Sequence, residues 1–587
     1  MESTASARVS PSAQETSPSV SDSVYLKGPT CRHCTTGRFV SSFPIAQPHN
    51  FSDREATIRR VHLINPSDTA FGTAVITPRW LYVLAAATPE SFGDPEICDE
   101  TLEQLDPSRV QPGDIAGIGI HTGNALRGYA VGRMLRERGA WVVFGGIHAT
   151  LYPEEAIERG GAHAVVKGDG DLAWEKVLND CAAESPRRVY EGGRVEPGDF
   201  KPARWDLMPE GRYMWGSVQT VRGCAKHCSF CSVWRTDGQR PRQRPYESVI
   251  QEVVELRRRG FRFIALADDN FYPVSLTDIQ LAERQNNQAR VSQLQSIRKD
   301  RFELMARLAE LPKDLVFFTQ ITMEAAEDPK FLDAMKAAHI MGALVGVEAV
   351  TAEGLKAVYK DFNLTGDKLV QRLQTFREHG VHVLGSFIFG LSTDRPDTFQ
   401  ATGELAAKAG LTFAQFVMLT PFAGTVDFEH WEKALGDQPP SVAGIPLTRY
   451  WLIPAEQRPK MFMPHPTMGS EEMRARTQGV WDRFYSLPAI WKRSRCTPTL
   501  RARLAFVFIS KLYRQMYAST GIATDSARRN RANRWARWLA IPCQRLFSAK
   551  PMPDLQVPGP AIPALIPAFA GDGLLTVIQP ATRAAKG

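Results

Sequence analysis

The feature that most constrains this chain is a run of three thiols, Cys224, Cys228 and Cys231, spaced C-x3-C-x2-C just after a stretch at 217–222 that reads as a strand. Three cysteines within eight residues converge only if the backbone curls around one object. A structural zinc site takes four ligands in two pairs, and no second Cys or His pair lies near this one. Core cysteines scatter, whereas here three of the nine in the chain gather in one short stretch. The reading is therefore a cube of four irons and four sulfides, [4Fe-4S], in which three irons are capped by these thiolates and the fourth keeps an open position for a ligand.

Around that stretch the chain alternates strand and helix twice. The first series comprises apolar runs at 60–64, 96–100, 115–120, 141–144 and 164–166, with helical stretches at 124–137 and 153–159. That pattern predicts an α/β, doubly wound (Rossmann-like, flavodoxin-like) parallel sheet over residues 56–190. Such sheets bind ligands outside the carboxyl ends of their strands. The loops there carry Ser67, His121 and Thr122, the run Gly145, Gly146, His148 and Thr150, and the turn Gly168-Asp169-Gly170-Asp171. None forms the G-x-G-x-x-G fingerprint, so a dinucleotide is not favoured. After a linker at 191–210 come runs at 217–222, 262–267, 315–322, 343–348, 382–389 and 412–419, separated by helices that include 246–259 and 277–311. Six strand–helix units over 211–430 fit a parallel, partly closed (β/α)6 barrel with its functional groups at the strand carboxyl ends.

The cysteine spacing, with Phe230 before the last cysteine, resembles the signature of the radical S-adenosylmethionine (SAM) enzymes. The sheet upstream resembles the cobalamin-binding domain of one large class of them. Residues Gly145, Gly146, His148, Thr150, the acidic run after Pro153, and Gly168 and Gly170 carry that likeness. The resemblance implies that the open iron chelates SAM, which is cleaved to a 5'-deoxyadenosyl radical, and that cobalamin delivers a methyl group to a substrate carbon. No Asp-x-His-x-x-Gly run is present, so it also implies a cobalt without a lower histidine ligand. His121 and His148 remain neighbours of the corrin or loop residues satisfied by backbone. In the barrel the resemblance places Asp268, Asp269 and Asn270 near the SAM amino group and sets Gln320, Glu324 and Glu348 at strand ends as partners of the SAM ammonium or ribose. Ile388, in the stretch 385–390, falls where the family holds adenine. An external donor of the flavodoxin or ferredoxin type would supply electrons. Ring-forming or rearranging radical chemistry is the second reading, and a cobalamin- or metal-binding sensor the third.

Composition matters mainly at the ends. Residues 1–55 are polar and read as a disordered leader, with a C-x2-C pair at Cys31 and Cys34 that has no second pair and is read as having no role. No leader-like segment and no apolar run of eighteen residues occurs, so a cytoplasmic protein is expected. The net charge of +8 is concentrated, since residues 491–550 hold fourteen Lys/Arg against one acid, Asp525. Residues 431–550 are expected to be mostly helical and to roof the barrel mouth, and 551–587 to form an irregular tail. The interleaved Arg and Trp of 528–539 suit peripheral contact with an anionic membrane surface or a grip on phosphates, or simply a solvated basic helix; a nucleic acid is not favoured. The substrate stays open between a small molecule, a lipid and a peptide.

Overall fold

The computed structural model describes residues 59–459, 463–519 and 548–559. Cys31, Cys34, the leader, the Arg/Trp stretch 528–539 and most of the tail lie outside these residues. The described part holds two parallel sheets. The first has six strands, β1 (Val61–Asn65), β3 (Glu96–Asp99), β4 (Ile115–Gly119), β5 (Trp141–Gly145), β6 (Ala164–Lys167) and β7 (Val189–Glu191), in the order β3-β1-β4-β5-β6-β7. Its central strands are mostly apolar and buried, because helices cover both faces of such a sheet. The chain runs outward from β1 to β3 on one side and from β4 to β7 on the other. The crevice for a ligand therefore belongs between the carboxyl ends of β1 and β4. The last strand, β7, falls at the end of the stretch assigned to this sheet from its sequence.

The second sheet runs β15-β14-β13-β12-β11-β8-β2, all parallel, and curls into a partial barrel. Its six sequential strands are β8 (Tyr213–Val218), β11 (Phe263–Leu266), β12 (Val316–Ile321), β13 (Ile340–Glu348), β14 (His382–Phe389) and β15 (Phe413–Met418). The seventh, β2 (Ala74–Ile76), leaves the first series to pair with β8 through Ala74 opposite Tyr213 and Ile76 opposite Trp215. Three residues give no readable period, so this weld between the two sheets is invisible to pattern reading. The first barrel strand also starts and ends earlier than the stretch 217–222 read from the sequence. Val221–Arg222 (β9) turns off to form a separate antiparallel ribbon with Arg242–Gln243 (β10).

Two further departures have local causes. The stretch 277–311 is two helices, Leu276–Arg284 and Gln288–Ala309, because Asn286 adopts φ +53° and Asn287 caps the second by accepting from the Arg290 amide. The first helix after residue 470 lies against the barrel's edge strand, whereas the sequence predicts a roof over the mouth. Ser470–Phe484 lies along β15, where the Trp481 indole donates to the Phe416 carbonyl at 2.8 Å. The Tyr485 hydroxyl meets both the amide and the carbonyl of Ala414. An edge strand exposes unpaired backbone groups, and these side chains satisfy them. Residues 423–453 instead cross to the first sheet, where Phe428, Trp431 and Trp451 join its core.

Candidate functional site

The loop bearing the cysteines is fastened at its root by the acidic pair that ends β11. Asp268, fully buried, accepts from the Thr220 amide at 2.6 Å, the Val221 amide at 2.9 Å and the Thr220 hydroxyl. Asp269 accepts from the Gly223 amide at 2.6 Å, and burial together with Asp237 raises its pKa to about 7. Asn270 is taken up by the Tyr272 and Thr322 backbone. Of these three residues only Asp269 reaches the cysteine loop itself. Gly223 sits at φ +90°, with a Cβ there meeting the carbonyls of Gly238 and Arg240 at 2.9 Å, so the tight turn into Cys224 requires glycine.

Past that turn the Cys224 amide donates to the Gly238 carbonyl, the Trp234 indole to the Cys228 carbonyl, and the Ser229 amide to the Val358 carbonyl. Cys228 is buried and the other two thiols are half-buried. Burial pushes the Cys224 thiol up to about 11, that of Cys231 to about 12, and that of Cys228 upward as well. Cys224 also feels the Cys228 thiol, and Cys231 both of the others. Buried thiols of this kind ionise when a metal takes the place of the proton. Among the described residues no three ligating side chains close on one metal ion. Three thiols carried on one tight loop are a donor set that fits three corners of an iron–sulfur cube.

Charged side chains ring the loop. Lys226, between the first two cysteines, donates to Glu324 at 2.9 Å and lies 4.8 Å from the Phe362 ring. Glu348 ends β13 at φ +67°, where the register with β14 shifts, and pairs at 2.8 Å with a buried Lys360. Lys360 also donates to the Gly346 carbonyl and draws down the pKa of Cys228 against its burial. Phe230 packs on the apolar cluster of Ala349, Leu355, Val358, Ile388, Leu391 and Leu419, so Phe230 and Ile388 share one wall. Gln320 is exposed, its carbonyl accepting from the Phe271 amide.

The carboxyl ends of β1, β4, β5 and β6 open on a cavity of about 550 Å³. Gly145, Gly146, Gly168, Gly170 and His121 line it, as do Ser217, Gln219, Arg222 and Ala267 from the second sheet. The two strand-end faces thus share one space. Gly145 and Gly170 have no atom within 4 Å of a Cβ position, which leaves a broad backbone cradle. Asp171 also lines the cavity with a side chain 7% exposed, and its Oδ2 has no hydrogen-bond partner among the described residues. A large polar ligand that presents N–H groups would satisfy it, and the amide arms of a corrin do.

Four predicted contacts lie off the cavity. The fully buried His148 ring sits between Thr122 and Glu155 and packs against Tyr152 and Trp451. Thr150 ties the two glycine turns by accepting from the Gly168 amide and donating to the Gly146 carbonyl. The Ser67 amide donates to Glu100 and its hydroxyl to the Thr69 carbonyl. Asn65 and Asp171, from strand-end loops, also line the cavity, together with Trp80 and Trp174, which nothing in the sequence marks. A tryptophan on a helix reads as core, whereas Asp171, beside two glycines in a flagged turn, carried a signal.

A curled parallel sheet with three thiols on the loop after its first strand, facing a second parallel sheet across one cavity, defines the class. Residues 218–406, from the end of β8 past β14, match the Radical SAM superfamily. The chain is 25% identical over 463 residues to an uncharacterized methyltransferase of Pyrococcus horikoshii, covering 73% of this chain and 92% of that one. It is also 25% identical to the hopanoid C-2 methylase of Rhodopseudomonas palustris, across 58% of this chain and 64% of that one. The two-sheet fold is shared with the radical SAM methyltransferase TsrM of Kitasatospora setae, solved with cobalamin and a [4Fe-4S] cluster bound. That likeness has a TM-score of 0.55 at 19% identity and covers 78% of this chain and 99% of that one.

Proposed function

We propose that this protein is a cobalamin-dependent radical SAM methyltransferase that adds a methyl group to an unactivated carbon. The observation that carries the reading is the single cavity between the two strand-end faces, with the thiols rooted at its edge. In this reading Cys224, Cys228 and Cys231 hold a [4Fe-4S] cluster, and the glycine turns with Asp171 hold cobalamin. Reduced cluster and SAM supply a 5'-deoxyadenosyl radical for hydrogen abstraction, while cobalamin supplies the methyl group. Phe230 and Ile388 offer an apolar wall to adenine. Asp269, Gln320, Glu324 and Glu348 are acceptors for the SAM ammonium and ribose hydroxyls. The chain's own contribution is to keep these groups oriented and water excluded.

The substrate class favoured is a lipid-like small molecule, because the hopanoid methylase is among the relatives; a peptide or polar metabolite is the competing class. Electrons would come from a flavodoxin- or ferredoxin-type donor in the cytoplasm. Among the described residues no helix is long and apolar enough to cross a membrane. Anaerobic reconstitution with SAM and reductant tests the reading, followed by chromatography of the products. The methyltransferase yields 5'-deoxyadenosine and, with substrate, S-adenosylhomocysteine in matching amounts. Deoxyadenosine alone with product formed marks rearrangement chemistry, and protein that binds cobalamin but never cleaves SAM is a sensor.

A further inference from the structure

The cysteine loop, residues 223–241, is closed at its base by the β9–β10 ribbon. In that ribbon Arg222 lies directly opposite Arg242. Two arginines facing each other across a ladder repel, and here both are withdrawn from water, with side chains 15% and 3% exposed. The counter-charge between them comes from the other sheet. Asp169, in the glycine turn after β6, accepts from Arg222 Nη1 at 2.6 Å and Arg242 Nη1 at 3.1 Å, and from the Val195 amide at 2.7 Å. Its own amide donates to the Gly193 carbonyl, so the carboxylate is fixed to backbone on both sides. Arg242 also bonds the carbonyls of Val195 and Asp237, the latter inside the cysteine loop.

The two carboxylates of the turn therefore divide their duties. Asp171 lines the cavity and leaves Oδ2 without a partner among the described residues, with Arg222 no closer than 3.8 Å, whereas Asp169 has both oxygens engaged by the loop's root. We propose that Asp169 is a positioning residue: it moors the root of the cysteine loop to the cavity-facing turn of the first sheet. The inference rests on the reading above only in naming the cavity as the cobalamin site and the loop as the cluster site; the mooring itself stands on the ion pairs. A shift of the glycine turn on ligand binding would be carried through one carboxylate to the residue two before Cys224. Replacing it with an amide keeps the shape but removes the one carboxylate that bridges both buried guanidinium groups, leaving only the more distant Asp171 and Asp237 to offset them, a costly arrangement.

Amide hydrogen exchange on the full-length protein tests this. Asp169→Asn should speed exchange across residues 221–242 at least tenfold while the strands of both sheets keep their protection. The double variant Asp169→Asn/Arg242→Met removes the repulsion together with its counter-charge and should recover most of the lost protection. Asp367→Asn, which breaks an exposed pair with Lys408, should change nothing in the loop. Unaltered exchange at 221–242 in Asp169→Asn overturns the mooring, as does a double variant that exchanges as fast as the single one or does not fold. A wild-type protein that takes up no cobalamin would sink the proposed function and leave this result standing.

Discussion

The two faces that meet at the cavity are built by opposite means. On the barrel side the chemistry is carried by side chains: three thiols, Lys226 with Glu324, and Lys360 with Glu348. On the other side it is carried largely by their absence, through Gly145 and Gly170, which open onto the cradle. Gly117 and Gly119 have tryptophan rings where a Cβ would be, those of Trp174 and Trp80 respectively. A reactive cluster needs named donors at fixed spacing, whereas a broad planar ligand needs a floor without protrusions. One face should therefore fail when a donor is removed and the other when an atom is added.

The largest effect tests that asymmetry on the donor side. Cys228→Ala should reduce the cluster's visible absorbance and 5'-deoxyadenosine formation to background while cobalamin stays bound; simultaneous loss of both cofactors would break the comparison. Next is Glu348→Gln, which leaves the buried Lys360 ammonium without its partner. A cost of about 3–5 kcal/mol follows for half of a buried pair, read as a lowered unfolding midpoint in denaturant, and an unchanged midpoint would show that the pair is not structural. On the cradle side, Gly145→Leu should fold, since its Cβ meets nothing, yet fill the site. Cobalamin affinity should fall about a hundredfold, or ~3 kcal/mol, with cluster content unchanged, as titration of the corrin absorbance would record. Smallest is Tyr485→Phe, far from both faces, which strips the hydroxyl from the Ala414 amide and carbonyl. It should cost about 1–2 kcal/mol of stability and leave both cofactors in place; cofactor loss there would mean that the barrel edge and the site are coupled.

The same asymmetry decides what could be read from the chain alone. Cys224, Cys228 and Cys231 are legible because their chemistry fixes residue type and spacing together, and the long apolar strands because burial on both faces writes a continuous run. The glycine turns were flagged for the same reason, as backbone that must approach something. His148 looked like a cofactor neighbour because it sits in such a turn, but the strap at 423–453 supplies Trp451 to bury its ring elsewhere. That packing joins residues some three hundred positions apart, and no local pattern reports it. The β2 weld, the β9–β10 ribbon and the walls made by Trp80 and Trp174 share this character. Each is short or solitary in sequence and acquires meaning only from a distant partner.

The central claim is that the first sheet's strand ends and the root of the cysteine loop line one space, so a corrin held there would sense a cluster held by the loop. Electron paramagnetic resonance of the anaerobically reconstituted wild-type protein, poised with cob(II)alamin and reduced cluster together, tests it most directly. Mutual spin coupling that disappears in the Cys228→Ala protein is the predicted result. A spectrum equal to the sum of two isolated centres would contradict it.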